Sequence, residues 1–117
     1  MNRRELGKRY EEYASEQLQK VGFVVIGRNE YTPFGEIDLI LCRKGVYFFV
    51  EVKFRKGDRF GSPKDAIDRG KRSRMLRSAL FFRKENGIAA PFRISLYGIQ
   101  QTGDQLIEEW IEDIFVQ

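Results

Sequence analysis

Apolar positions in this chain recur first at helical spacing and then at strand spacing. Leu6, Tyr10, Ala14, Leu18 and Val21 follow one another at intervals of three or four, which predicts an amphipathic helix over residues 4–21 that stops at Gly22. Phe23-Val24-Val25-Ile26 is a short β-rich run, and NEYTPFG, residues 29–35, reads as a turn around Pro33 and Gly35. Two longer apolar runs follow, Glu36 to Cys42 and Val46 to Arg55, joined at Arg43-Lys44-Gly45 by a hairpin-type connection. The second of them is the most apolar and is expected to be the central strand. A polar loop, residues 56–62, precedes a second helix that opens at Ser62-Pro63. Ser62 suits the cap, Pro63 the first turn and Asp65 the positive end of the dipole. Asn86-Gly87 ends that helix, and Phe92 to Gln100 reads as another strand. QTGDQ, residues 101–105, is a turn. Leu106 to Val116 fits both periods in part, so it is a strand or a short helix. The order of elements predicts one domain over residues 1–117, of α/β or α+β layer class.

Charged residues interrupt the two apolar runs. Strand side chains alternate between faces. Glu36, Asp38, Ile40 and Cys42 therefore share one face of the first run, and Ile37, Leu39 and Leu41 the other. On the second run Phe48, Val50, Val52 and Phe54 share a face, and Tyr47, Phe49, Glu51, Lys53 and Arg55 share the opposite one. If the runs pair as a hairpin, Asp38 comes near Glu51. Charges on strands this apolar are costly unless they are paired or bind a metal. By itself, Glu51-Val52-Lys53 is an ordinary ion pair on a half-exposed strand. With Asp38 on the neighbouring strand the pattern acquires a chemical use. Asp38 and Glu51 are candidate ligands for a hard divalent cation, Mg²⁺ or Mn²⁺, and the Val52 carbonyl is a further candidate. Such a cation lowers the pKa of a bound water and neutralises charge on a phosphate. Lys53 would stand beside that water, to orient it, help deprotonate it or stabilise the transition state.

Composition narrows the chemistry further. The chain has no histidine, which excludes a Ser-His-Asp triad, a Cys-His pair and any zinc site built on imidazole. Cys42 is the only cysteine, so no intrachain disulfide can form, as suits a reducing compartment. The ten phenylalanines supply enough bulk for a core. A net charge of +4 suits a polyanionic partner without demanding one. The charged N-terminus has no apolar run, and no segment is long enough to cross a bilayer, so a cytoplasmic protein without membrane attachment is expected.

Asp38 followed by Glu51-Val52-Lys53 resembles the core of the PD-(D/E)XK nucleases. A closer resemblance is to the YraN family, small bacterial proteins related to archaeal Holliday junction resolvases. Its opening helix is matched by Leu6-Gly7 with Glu11, Ala14 and Leu18, and its glycine-aromatic step by Gly22-Phe23. Its most distinctive segments are matched by Asn29, by Gly35-Glu36-Ile37-Asp38-Leu39-Ile40 and by Phe49-Val50-Glu51-Val52-Lys53 with Arg55. Phe60-Gly61-Ser62-Pro63, Ala66-Ile67 and Lys71 match its loop and second helix. Two positions depart from the pattern. Tyr10 stands where a glycine is usual before Glu11, and Ser95 follows Phe92-Arg93-Ile94 where the family has an Asp. The resemblance implies a restriction-endonuclease-like fold, a central mixed β-sheet flanked by helices. It implies metal-dependent hydrolysis of DNA, structured or branched DNA included, with Asp38 and Glu51 as ligands and Lys53 at the attacking water. It also offers Glu11 as an additional ligand, and Glu36 as either an acid adjoining the site or a strand-start residue. Resolvase relatives are dimers, so a homodimer is one expected assembly.

Cations supply a place for a nucleic acid, DNA or RNA. Lys71, Arg74 and Arg77 recur every three residues on the second helix, and Arg55, Lys56 and Arg59 follow Lys53 closely. They are candidate phosphate contacts, blind to base sequence; basic helix faces are otherwise simply solvated. Tyr31, Phe34 and Phe60 could stack on bases, though loop aromatics more often serve as anchors. Two rivals stand beside the nuclease: a nucleic-acid-binding module without turnover, and a protein-interaction subunit on the same fold.

Overall fold

The computed structural model describes residues 1–57 and 61–116. Helix α1, Arg3–Lys20, starts where Asn2 Oδ1 accepts the Glu5 amide at 2.9 Å. That bond satisfies one of the N–H groups a helix start leaves free. The helix closes with the Val21 and Gly22 amides donating back to Leu18 and Gln19, and Gly22 takes the left-handed φ of 97° that suits glycine there. Strands β1, Val24–Thr32, β2, Gly35–Arg43, and β3, Val46–Lys56, form an antiparallel meander. A 3₁₀ turn, Pro63–Ala66, and helix α2, Arg69–Glu85, lead to β4, Phe92–Thr102, which lies parallel to β3; β5, Gln105–Ile111, returns antiparallel. The sheet is mixed and its strand order is β1-β2-β3-β4-β5, so β3 is central.

The helices cover opposite faces of this sheet. Ala14 and Leu18 of α1 pack with Leu39, Leu41, Phe48, Val50 and Ile99. Ala79 of α2 packs with Ile40, Phe49, Ile94, Leu96 and Ile114. Each fully buried Leu, Ile, Val or Phe among these contributes roughly 1.5–3 kcal/mol. Burial on both faces explains why Tyr47-Phe48-Phe49-Val50 is continuously apolar instead of alternating.

Several elements differ from the sequence expectation. The proposed turn at residues 29–35 shrinks to a tight turn around Pro33, because β1 extends to Thr32. A bulge between Val25 and Gly27 breaks the period that would have revealed the longer strand. The second helix does not begin at Ser62. Ser62 and Asp65 cap only the 3₁₀ turn, whereas Asp68 Oδ1 accepts the Lys71 amide at 2.7 Å and starts α2. The terminal segment resolves as strand through Ile111. Ile37 also leaves the face expected for it: Leu39 and Leu41 pack on the α1 side, but Ile37 packs with the α2 cluster. The strand therefore turns over at Asp38. The described residues contain no helix long and apolar enough to cross a membrane.

Gly98 of β4 lets the 3₁₀ turn lie against the sheet. A Cβ at that position would come within 2.8 Å of the Pro63 Cβ, and Gly98 is the β4 partner of Lys53. Gly98→Ala should cost about 1–3 kcal/mol by overpacking. Thermal unfolding checks this, and an unchanged midpoint would mean that the turn does not rest on Gly98.

Candidate metal centre

The site forms where β2 loses regular partners on both sides. Towards β1, pairing runs through Arg28–Leu39 and Glu30–Ile37; Asn29 and Asp38 lie between those pairs, and Asn29 has a left-handed φ of 48°. Towards β3, the ladder ends at Leu39–Val50. Beyond that point β3 continues alongside β4 as far as Lys56. The Val52 amide, aimed at β2, donates to Asp38 Oδ2 at 2.9 Å, so a side chain replaces the missing backbone partner. A strand residue's N–H and C=O point to the same side, so the Val52 carbonyl faces Asp38 as well.

Two more carboxylates meet Asp38 there. Glu11 comes from α1, one residue beyond Tyr10, whose ring stacks on Phe54 with centroids 4.0 Å apart. Glu36 comes from the start of β2. Asn29 Nδ2 donates to Glu11 Oε1 and to Glu36 Oε1, both at 2.7 Å, and so holds the two acids together. One oxygen each from Glu11, Glu36 and Asp38 lies within 4.8 Å of the others. Opposite ligands of an octahedral Mg²⁺ are about 4.2 Å apart, given bonds of about 2.0–2.1 Å, so a small inward movement lets these acids share one hard cation. An all-oxygen donor set is the right chemistry for that class of ion.

Electrostatics sharpen the picture. Burial, then the Glu51 charge, push the Asp38 carboxyl from its ordinary 3.8 up to about 8 against the Val52 hydrogen bond; Glu11 and Glu36 add smaller upward pushes. Glu11 is raised too, mainly by burial, with Glu36 and Glu51 adding to the rise while Asn29 and Lys8 oppose it. The fold thus gathers acids that disfavour one another's ionisation, and a cation would relieve that repulsion.

The structure divides the residues singled out from sequence into groups. Asp38 and Glu11 lie in the carboxylate trio. Glu36 stands in it as a full member, closer to the centre than its role as an adjoining acid suggested. Glu51 is near enough to act on Asp38, but its Oε1 pairs with Lys71 Nζ at 3.1 Å across the start of α2. Lys53 follows two residues later on β3, half-buried, with no side-chain hydrogen bond or ion pair among the described residues. Of the cationic stripe, Lys71 is committed to Glu51, Arg77 lies 6.0 Å from the Phe34 ring centre, and Arg74 is exposed. Arg55 is half-buried, and Lys56 is exposed at the end of β3. Arg59 and Phe60 lie outside the described residues. The site residue that sequence reasoning passed over is Asn29. Its signals were its match to a distinctive family segment and a lone amide in a run read as a turn, and neither reveals that it bridges two acids.

A larger open hollow of about 800 Å³, against Trp110, Glu112 and Asp113, shares no residue with the trio; chemistry and not volume locates the site.

A mixed sheet flanked by two helices, with acids gathered at a strand junction, is compatible with a restriction-endonuclease-like fold. The chain belongs to the uncharacterised protein family UPF0102, whose model matches residues 10–99. It is 36% identical to a UPF0102 protein of Photobacterium profundum over 120 residues, covering 100% of this chain and 94% of the relative. A UPF0102 protein of Shewanella amazonensis is 39% identical over 93% of this chain and 97% of its own length. One from Fusobacterium nucleatum is 34% identical over 97% and 93%.

The raised Asp38 carboxyl makes stability depend on pH. Between about 4 and about 8 the folded state keeps a proton that the unfolded chain has released, so metal-free stability falls as pH rises through that window. Asp38→Asn removes this dependence. Its melting temperature should gain on that of the native chain from pH 5 to pH 9 in EDTA, and Mg²⁺ should stabilise only the native chain. Parallel melting curves across that range would contradict the assignment.

Proposed function

We propose that this protein is a metal-dependent nuclease that hydrolyses phosphodiester bonds in DNA, structured or branched DNA included. The observation that carries the reading is the Asp38 carboxylate fixed on the Val52 amide, with Glu11 and Glu36 oxygens within 4.8 Å and Glu51 close by. Asp38, Glu11 and Glu36 would hold Mg²⁺ or Mn²⁺, with Glu51 and the Val52 carbonyl completing the donor set. Bound there, the cation supplies an acidified water and neutralises phosphate charge. Lys53, whose ammonium has no hydrogen bond or ion pair among the described residues, stands on the strand that carries Glu51, and so can orient the attacking water or stabilise charge as the phosphorus becomes five-coordinate. The water oxygen bonds to phosphorus, the bond to the leaving sugar oxygen breaks, and the water's proton ends on that leaving oxygen or in solvent. Arg74, Arg77 and Lys56 remain available for phosphates outside the reacting one.

One observation favours a second reading, a nucleic-acid-binding module without turnover. Lys71 already balances Glu51, as an internal cation in place of a metal. The two readings part in a single assay. Linear, single-stranded and four-way-junction DNA are incubated with the protein in Mg²⁺, Mn²⁺ or EDTA, beside Glu51→Ala and Lys53→Met. Metal-dependent cleavage should fall by about 10²-fold or more in each variant, with DNA binding retained. Cleavage that persists in Glu51→Ala would remove the assignment. Binding without cleavage by the native chain would select the second reading.

Lys71 supplies a separate check. If the pair masks a metal ligand, Lys71→Met frees Glu51, and Mn²⁺ affinity measured by calorimetry should rise about threefold to tenfold. A fall in affinity would show that Lys71 instead holds Glu51 in its working position.

A further inference from the structure

The α1 side of the carboxylate trio opens into a cleft of about 360 Å³, walled by Arg3, Arg4 and Lys8 from α1 and by Tyr31 from β1, with Glu11, Asn29 and Glu36 at its end. Gly7 lines it too. Three observations set it apart from an ordinary solvated helix face. Its cations are open to a ligand: none of the three makes a side-chain hydrogen bond or ion pair among the described residues, although Lys8 acts on Glu11 through its charge. Gly7 lies inside a helix, where glycine is destabilising, yet a Cβ there would meet nothing within 4 Å. Packing therefore gives no reason for a glycine at that position. Tyr31 is 71% exposed and touches no other ring among the described residues, whereas nearby Phe34 is engaged by Phe81 and Arg77.

These features share one direction. Arg3, Gly7 and Glu11 are spaced four residues apart, so they lie one above another on one helix face, with Arg4 and Lys8 alongside. A ligand travelling down that face meets positive charge, then bare backbone, then the carboxylates. Backbone without a side chain is where a ligand can approach closely. An exposed tyrosine beside a cationic track is the arrangement that receives an unstacked base. The volume is that of a small-ligand pocket, far below what a duplex needs.

We propose that this cleft takes a single nucleic-acid strand into the carboxylate group, with phosphates on Arg4 and Lys8, close backbone contact at Gly7 and a base on Tyr31. The inference rests on the nuclease reading and adds a substrate form and a path to it: a single-stranded end, gap or flap enters along α1, not along α2.

The test is fluorescence anisotropy with labelled single-stranded and blunt duplex DNA in Ca²⁺, on the full chain. The variants are Gly7→Ala, Gly7→Leu, Arg4→Glu with Lys8→Glu, and Arg74→Glu with Arg77→Glu, each checked by thermal unfolding. Gly7→Ala should melt higher than the native chain and yet bind single strands more weakly, a combination that loss of folding cannot produce. Gly7→Leu and the α1 charge reversal should each weaken single-strand binding by about tenfold or more, with the α2 reversal less harmful. If the native chain binds single strands and folded Gly7→Leu binds them equally well, the cleft is not the path, and the nuclease reading stands without it. Equal affinity for blunt duplex through the same α1 residues overturns the single-strand assignment. If the native chain binds neither DNA, the inference and the nuclease reading fall together.

Discussion

A single backbone amide organises the candidate site. Where β2 and β3 part after Leu39–Val50, the Val52 N–H is left aimed at a strand that no longer answers it. A half-buried amide without a partner is costly, and the Asp38 carboxylate provides the partner at 2.9 Å. Asp38 is therefore held by the fold itself. The same contact fixes the acid in a poorly solvated place beside Glu51, Glu11 and Glu36, which is why its carboxyl rises to about 8. Structure and chemistry depend on one hydrogen bond, so a change at Asp38 disturbs both.

The sheet topology explains how acids from distant parts of the chain arrive together. A parallel neighbour for β3 requires a crossover, and here the crossover is the 3₁₀ turn and α2. It carries Lys71 to Glu51 and Pro63 to the bare surface of Gly98. Helix α1 lies on the opposite face and contributes Glu11. Residues from opposite sides of a closed sheet would not meet. They meet here because β2 turns over at Asp38, placing Ile37 on the α2 side while Leu39 and Leu41 stay on the α1 side.

Much of this was legible in the sequence, and the reasons for the failures are physical. The charges on apolar runs singled out Asp38, Glu51 and Lys53 as candidates because burial makes such residues costly, and the fold brings Asp38 into the carboxylate trio with Glu51 beside it. The central place of β3 followed from its continuous apolarity. Strict alternation, however, put Ile37 beside Leu39, since a reading by period two cannot see a strand rotate. The start of α2 was misplaced for a related reason: Ser62-Pro63-x-Asp65 is a good helix opening locally, and the 3₁₀ turn does use it, but Asp68 offers a second cap six residues later. The Asn29 bridge joins acids from α1 and β2, which are remote in sequence, so only the folded chain brings them to one amide.

Gly98 and Gly7 show how much the meaning of a residue depends on its surroundings. At Gly98 the space a side chain would fill is occupied by Pro63, and the glycine is explained by packing. At Gly7 the same space is empty, and the surrounding helix would be more stable with almost any other residue. A position that lowers stability without packing, turn or cap to justify it is accounted for, in the path proposed above, by a strand that approaches from solvent. Gly7 lies one turn from Glu11 on the helix that completes the carboxylate trio. In the path proposed above, the bare backbone and the acids face the same strand, and the cationic side chains of Arg4 and Lys8 suit its negative charge.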